Sequence, residues 1–371
     1  MEKVEIIPAQ DRKAVREFLT FPYAFYQGDP NWVPPLWTTQ KQLFETREHP
    51  FIAHAEIQGF VARRERQTVG RIAAIIDRNF NQVHNEPAGF FGFFESVNDA
   101  EVAGRLLDAV WDWLRQRGAR FMRGPMNPSA NYECGLLVEG FDSSPVILMT
   151  YNPRYYPQLM EQAGLRQEKD LYAYYLSKEI VSVERAERVA QRALEAKQIQ
   201  LRPIRMKDFE SEVERVWEVY NSAWSRNWGF VPMTREECFW LARELKPIAV
   251  PELMLMAEVS GRLVGFLLAL PDINQALKHT RSRFLPAVLL TVLYHRRSIR
   301  TIRAVLLGVL EEFRTAGIAA ALYAEIIRRG IRLGYRDCEM SWILDDNATM
   351  IRPIEQLGGQ RYKTYRIYQR G

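Results

Sequence analysis

Cysteine is scarce. The 371 residues include three, Cys134, Cys238 and Cys338, with no two at metal-ligand spacing. Neither a disulfide framework nor a cysteine-bound zinc site is expected, and no metal at all. Long apolar runs are absent too: none reaches the roughly 18–20 residues of a membrane-spanning helix. The opening residues, MEKVEIIPAQDRK, hold no basic region followed by an apolar one. No signal peptide is expected, and the chain reads as cytoplasmic. Charge of one sign does not dominate: 50 Lys and Arg stand against 45 Asp and Glu, a net +5. That mild excess suits an anionic cofactor, a nucleic acid or an anionic membrane surface without choosing among them. No helix-turn-helix, zinc-finger or RNA-binding signature is found, so nucleic acid is not an expected partner.

What is present is an ordinary globular composition, 47% hydrophobic and 26% charged, on a chain long enough for two domains. Two stretches share an order of elements. In the first, strands are predicted at 4–8, 56–63, 68–77, 88–96, 146–150 and 171–176. Helices are predicted at 9–19, 101–118 and 155–163. The segment FPYAFYQGDPNWVPPLW is read as non-helical because of its prolines. In the second, strands fall at 200–204, 253–259, 263–270, 302–310, 337–344 and 361–369. Helices fall at 209–223, 234–244 with Thr234 as cap, 318–329 and 348–356. A charged helix, 179–198, joins them. The fold class is α/β (mixed α+β), as a tandem of domains over 1–178 and 199–371, each a mixed central sheet flanked by helices.

The informative stretch is AVLLGVLEEFRTAGIAAALYAEII. An apolar strand ends at Val309-Leu310. A turn follows, and a helix opens at once. A helix N-terminus presents unpaired N–H groups and partial positive charge. Gly317 and Ala319 leave room for close approach to the backbone, and Arg314 adds a cation. This combination is a pyrophosphate site.

The pattern Arg314-x-x-Gly317-x-Ala319 at a strand-to-helix turn resembles that of GNAT acyltransferases. Glu312-Phe313 stand where that family has an acid and an aromatic. The likeness extends from Ile199 to the C-terminus. Segments such as GVLEEFRTAGIAAALY, MSWILDDNATMIRPIEQLGG and RYKTYRIY look like a bacterial group of long, two-domain GNAT-like proteins. Thr315 and Ala316 depart from the usual Gly and basic residue. The resemblance implies acetyl-CoA or a longer acyl-CoA as co-substrate, and an amine acceptor. It implies a backbone cradle from Val309 and Leu310 through Arg314, Thr315, Ala316, Gly317, Ile318, Ala319 and Ala320. Asn347 would contact the cofactor arm. An N–H of Val309 or Leu310 would hold the oxyanion. The family's acid Tyr falls at Ile354, so Tyr362, with Tyr323 and Tyr365 beside it, is the substitute. Glu312 or Asp345, with Asp346, is the base. Glu311-Glu312 also reads as a solvated turn, and Asp345-Asp346 as a helix cap.

The first stretch has no such signature. Ser96–Asp99 reads as a helix cap, so this half is expected to be a GNAT-like domain without cofactor, supplying acceptor-side or purely structural surface. His54, Asp77, His84, Glu95, Asn127, Asn131, Tyr151, Asn152 and Tyr155 are its polar and aromatic candidates, each taken singly reading more readily as a satisfied structural group. An insertion at 272–300 carries the apolar run Phe284–Tyr294 between basic residues. It reads as a packed helix, as a peripheral contact with an anionic membrane, or as a lid over a long acyl chain. Three functions follow: an acyl-CoA-dependent N-acyltransferase, a CoA-binding sensor without turnover, or transfer of a long acyl chain to an amino lipid.

Overall fold

The computed structural model describes residues 3–35, 37–181, 198–280 and 285–371. The predicted connecting helix falls on 182–197 for most of its length and so lies outside the described residues. The chain divides into two compact units. One comprises Met1–Leu171, Leu277–Thr291 and Lys363–Gly371, and the other Tyr172–Ala276 and Val292–Tyr362. The last residues of the chain thus belong to the first unit.

The first unit contains β1 (Val4–Pro8), α1 (Arg12–Phe25), β2 (Ala55–Arg64), β3 (Gln67–Asp77), β4 (Ala88–Ser96), α2 (Ala100–Arg115) and β5 (Phe121–Gly124). It continues with β6 (Met126–Asn127), β7 (Glu133–Cys134), β8 (Leu136–Glu139), α3 (Tyr156–Gln162) and the start of β9 (Arg166–Ser177). Strands β1 to β4 pair antiparallel in sequence order, and β4 pairs parallel with β5. Helix α2 covers this sheet. Its Val102, Leu106, Leu107, Val110 and Leu114 repeat at helical spacing and are fully buried.

Two expectations fail here. Val146–Thr150 is a turn, closed by Met149 N–H on the Val146 carbonyl at 3.1 Å, and not a strand. Helix α1 does not stop before the prolines. It runs through Pro22 to Phe25. Proline lacks the N–H that would reach back to Phe18. The buried Arg71 guanidinium donates to that Phe18 carbonyl instead, at 2.9 Å, so the helix continues with its ladder repaired from outside.

The second unit contains β10 (Gln200–Pro203), α4 (Phe209–Ala223), α5 (Arg235–Leu245), β11 (Met254–Val259), β12 (Arg262–Pro271), and, after an insertion whose α6 (Leu285–His295) belongs to the first unit as far as Thr291, β13 (Thr301–Val309). Then come α7 (Ile318–Arg332), β14 (Asp337–Leu344), α8 (Ala348–Gln356) and the first residues of β15 (Gln360–Arg370), most of which belongs to the first unit. Its strand order is β14-β13-β12-β11-β10, antiparallel except for β13 with β14. Ile318, Leu322 and Ile326 bury one face of α7 in a core with Leu255, Phe266 and Leu267. Thr234 caps α5 as expected, in a reciprocal capping box with Glu237.

Candidate active site

The site begins with a mismatch of strand lengths. β13 and β14 pair only from Thr301↔Asp337 to Ala304↔Met340. β13 continues to Val309 and β14 to Leu344. Past Ala304 the facing edge of β13 is open. The root of the opening is held by Arg303 and Glu339, direct cross-strand partners, both buried, with Nε 3.4 Å from a carboxylate oxygen.

Register decides which backbone groups face the opening. Leu310 N–H donates to the Val264 carbonyl at 3.0 Å, and Val309 is the Cα partner of Gly265. In an antiparallel ladder, hydrogen-bonded pairs alternate with non-bonded ones. Leu310, Gly308 and Leu306 therefore direct their polar groups at β12. Val309 and Leu307 direct theirs away from it, toward the opening. Of the two expected oxyanion donors, the Leu310 N–H is spent on the ladder, whereas the Val309 N–H points to the open side. The Leu307 carbonyl confirms the geometry: it accepts from the Trp224 indole N–H at 3.0 Å.

The strand runs into a 3₁₀ turn, Glu311–Ala316, and Gly317 then takes the left-handed conformation, φ +76°, as the N-cap of α7. Glycine adopts that backbone at no steric cost. No side chain caps α7, and its first turn has no acid. The amides of Ile318, Ala319 and Ala320 precede the first helical bond, from Ala321 N–H to the Gly317 carbonyl at 3.0 Å. Three amides at an uncapped helix N-terminus, with the helix dipole behind them, lie beside the open strand edge, an arrangement that favours an anion.

The other expected residues are distributed less evenly. Arg314 is exposed, and its guanidinium donates to the Ala223 carbonyl, the last of α4, at 2.6 Å. Arg314 thereby holds the residue before Trp224. Thr315 is exposed and Ala316 half-buried. Glu312 is exposed and paired with Arg262 at 2.7 Å, on the surface and not in a desolvated pocket. Asp345 follows the end of β14, with one carboxylate oxygen buried. The cap of α8 is Asn347, whose side-chain oxygen accepts from Met350 N–H at 3.2 Å, so the alternative reading of Asp345-Asp346 as caps is corrected. Ile354, where the family has Tyr, is fully buried. Tyr362 packs its ring on Tyr175, centroids 5.6 Å apart. Tyr323 is buried inside α7, and burial pushes its phenol well above the ordinary range, with Cys338 adding to the effect. Tyr365 is fully buried in the first unit. Trp224 was not legible as a site residue. The only signal was an aromatic run, WSRNWGF, directly after an amphipathic helix.

The first unit repeats the strand mismatch and fills it. β4 and β5 pair only from Ala88↔Phe121 to Phe90↔Arg123. Beyond that, Phe93 N–H donates to the Asn127 side chain at 2.6 Å, and a Cβ on Gly92 would lie 1.7 Å from the Met126 carbonyl oxygen. The chain's own segment lies on the edge that is open in the second unit. The helix that follows is capped: the Asp99 carboxylate accepts from Glu101 and Val102 N–H. An anion would meet a carboxylate there. The remaining polar candidates are tied into this unit. His54 Nδ1 is 3.1 Å from Asp77, Asn152 brackets the Leu137 backbone, and Tyr155 donates to the Ser96 carbonyl. Glu95 accepts from Tyr26 at 2.6 Å and Tyr156 at 2.8 Å, beside Arg71 at 4.0 Å. Burial pushes its carboxyl up to about 7, against the opposing pull of Arg71 and the two phenols.

The protein is similar along nearly its whole length to two proteins of known name. It is 34% identical over 374 residues to the Bacterial ceramide synthase of Caulobacter vibrioides (strain NA1000 / CB15N), covering 99% of this chain and 97% of the relative. It is 31% identical over 366 residues to Protein YghO of Escherichia coli (strain K12), covering 97% and 93%. No family model matches the sequence. Among solved structures, a tandem GNAT protein from the clavulanic acid biosynthesis pathway superposes with a TM-score of 0.57 at 12% identity, covering 99% of this chain and 98% of that one. These similarities establish that the chain belongs to the family of the Bacterial ceramide synthase of Caulobacter vibrioides and YghO, on a fold shared with tandem GNAT proteins.

Proposed function

We propose that the protein is an acyl-CoA-dependent N-acyltransferase whose acceptor is a long-chain amino lipid. The observation that carries the reading is the open Leu307–Val309 edge beside the uncapped amides of Ile318, Ala319 and Ala320. The amides receive the pyrophosphate. The open edge pairs with the amide-bearing arm of coenzyme A, as an added strand would. The thioester then lies near Val309 N–H. The acceptor amine attacks the thioester carbon, and the developing oxyanion is held by that N–H. The C–S bond breaks, the amine loses a proton and the CoA thiolate gains one. Asp345 is the better-placed base, since Glu312 is exposed and engaged by Arg262. Tyr362 is retained as the candidate acid. The amino-lipid acceptor is supported by the 34% identity, over nearly the whole chain, to a protein named for ceramide synthesis.

The test is direct. Purified protein is given palmitoyl-CoA or acetyl-CoA with sphinganine, and products are read by mass spectrometry. The expected result is an N-palmitoyl amide with stoichiometric release of CoA. A second reading, CoA binding without turnover, is favoured by the buried Ile354 and by the engagement of Arg314 within its own chain. Tight CoA binding with no product from a broad panel of amines would establish that reading instead.

A further inference from the structure

The insertion between β12 and β13 concentrates the protein's charge imbalance. Residues 273–300 contain Lys278, Arg281, Arg283, Arg296, Arg297 and Arg300, and no Asp or Glu. The net charge of the whole chain is +5. The insertion alone accounts for that excess, and the remaining residues are close to neutral. Within it, α6 presents apolar side chains to water. Leu290 is 68% exposed, Leu293 56% and Tyr294 83%. At spacings of three and four they share one face of the helix. Ser298 Oγ closes the helix end on the His295 carbonyl at 2.7 Å, and Arg296 and Arg297 follow immediately, both exposed.

Two leucines and a tyrosine facing water are costly in a protein that stays in solution. The same set is favourable at a lipid interface. Leucines enter the acyl layer, the tyrosine sits at headgroup depth, and arginines meet phosphates. A helix of 11 residues is about 16 Å long, too short to cross a bilayer, and no helix among the described residues can do so. The helix would therefore lie in the plane of the surface. A nucleic acid would use the arginines and leave the leucines exposed, so the apolar face selects lipid over other polyanions.

We propose that α6 is a reversible docking helix for anionic phospholipid surfaces, inserting Leu290, Leu293 and Tyr294 with Arg296 and Arg297 on the headgroup phosphates. Its purpose rests on the amino-lipid reading above: docking puts the site on the layer that holds such an acceptor and the long acyl-CoA.

The experiment is co-sedimentation of the full chain with phosphatidylcholine vesicles, with and without phosphatidylglycerol. The wild type is expected to bind the anionic vesicles at least ~10-fold more strongly than the neutral ones. The double variants Leu290→Ser/Leu293→Ser and Arg296→Gln/Arg297→Gln are each expected to lose roughly 10-fold in vesicle binding. Both should keep wild-type affinity for CoA in solution, which certifies the fold. Absence of wild-type binding, equal binding to neutral vesicles, or loss in the arginine variant alone would each overturn the proposal. Turnover of palmitoyl-CoA and sphinganine dispersed in detergent separates the two ideas. Variants active in detergent but slowed on vesicles support docking. A wild type that binds vesicles yet makes no product in detergent keeps docking and removes the proposed reaction.

Discussion

The Trp224 indole N–H donates to the Leu307 carbonyl at 3.0 Å, on the side of β13 that β14 leaves open. The preceding carbonyl, that of Ala223, is held by Arg314 from the turn before α7. One short segment at the end of α4 thus touches both the open edge and the turn that leads into α7. An extended ligand that pairs with Leu307 must displace the indole. Trp224→Phe keeps an aromatic ring and removes the competing donor. The expected result is a CoA dissociation constant ~2–10-fold lower, the worth of one net hydrogen bond. Affinity for 3′,5′-ADP, which lacks the arm, should not change. Calorimetry with both ligands checks this; unchanged or weakened CoA binding would count against it.

Gly317 supplies the left-handed cap from which the cradle amides project. Gly317→Ala should cost about 1–2 kcal/mol of stability from its backbone conformation. Gly317→Glu should add negative charge where phosphate is expected and weaken CoA binding at least ~10-fold. Chemical denaturation and calorimetry separate the two effects. Retention of CoA affinity in the glutamate variant would refute the placement of the site.

Arg303 and Glu339 are buried partners at the root of the opening. Arg303→Met leaves a buried carboxylate without its cation and should cost about 3–5 kcal/mol. Adding Glu339→Leu should recover much of that loss. A denaturation double-mutant cycle reads the coupling, and additive losses would contradict it.

Glu95 gives the first unit a pH dependence. Its folded value of about 7 lies above its ordinary 4.5, so the folded state holds the proton more tightly. The stability from this group is therefore complete below the ordinary value and is lost as pH rises through about 7. Between pH 5 and 8, the wild type should lose on the order of 1–3 kcal/mol relative to Glu95→Gln, whose side chain does not titrate. Equal slopes of stability against pH in the two proteins would argue against it.

The strand-to-helix turn was legible in the sequence because its geometry is local: a glycine, small neighbours, and a strand before and helix after. The helix cap within Ser96–Asp99 of the first half was legible for the same reason, since Asp99 bonds amides two and three residues on. Three features were not legible. Helix α1 passes Pro22 because Arg71, 53 residues from Phe18, takes the orphaned carbonyl. The edge of β4 is filled by Met126 and Asn127, more than thirty residues on. Trp224 meets Leu307 across 83 residues. Each depends on a tertiary contact that no periodicity or local motif encodes. The choice between Val309 and Leu310 likewise needed the register with β12, which a sequence does not print.

The most direct test of the central claim, that the second unit alone holds the cofactor site, is amide hydrogen exchange with and without CoA. The expected result is slowed exchange in peptides covering 305–322 and unchanged exchange in those covering 88–102. Slowed exchange over 88–102, or none over 305–322 under saturating CoA, would contradict it.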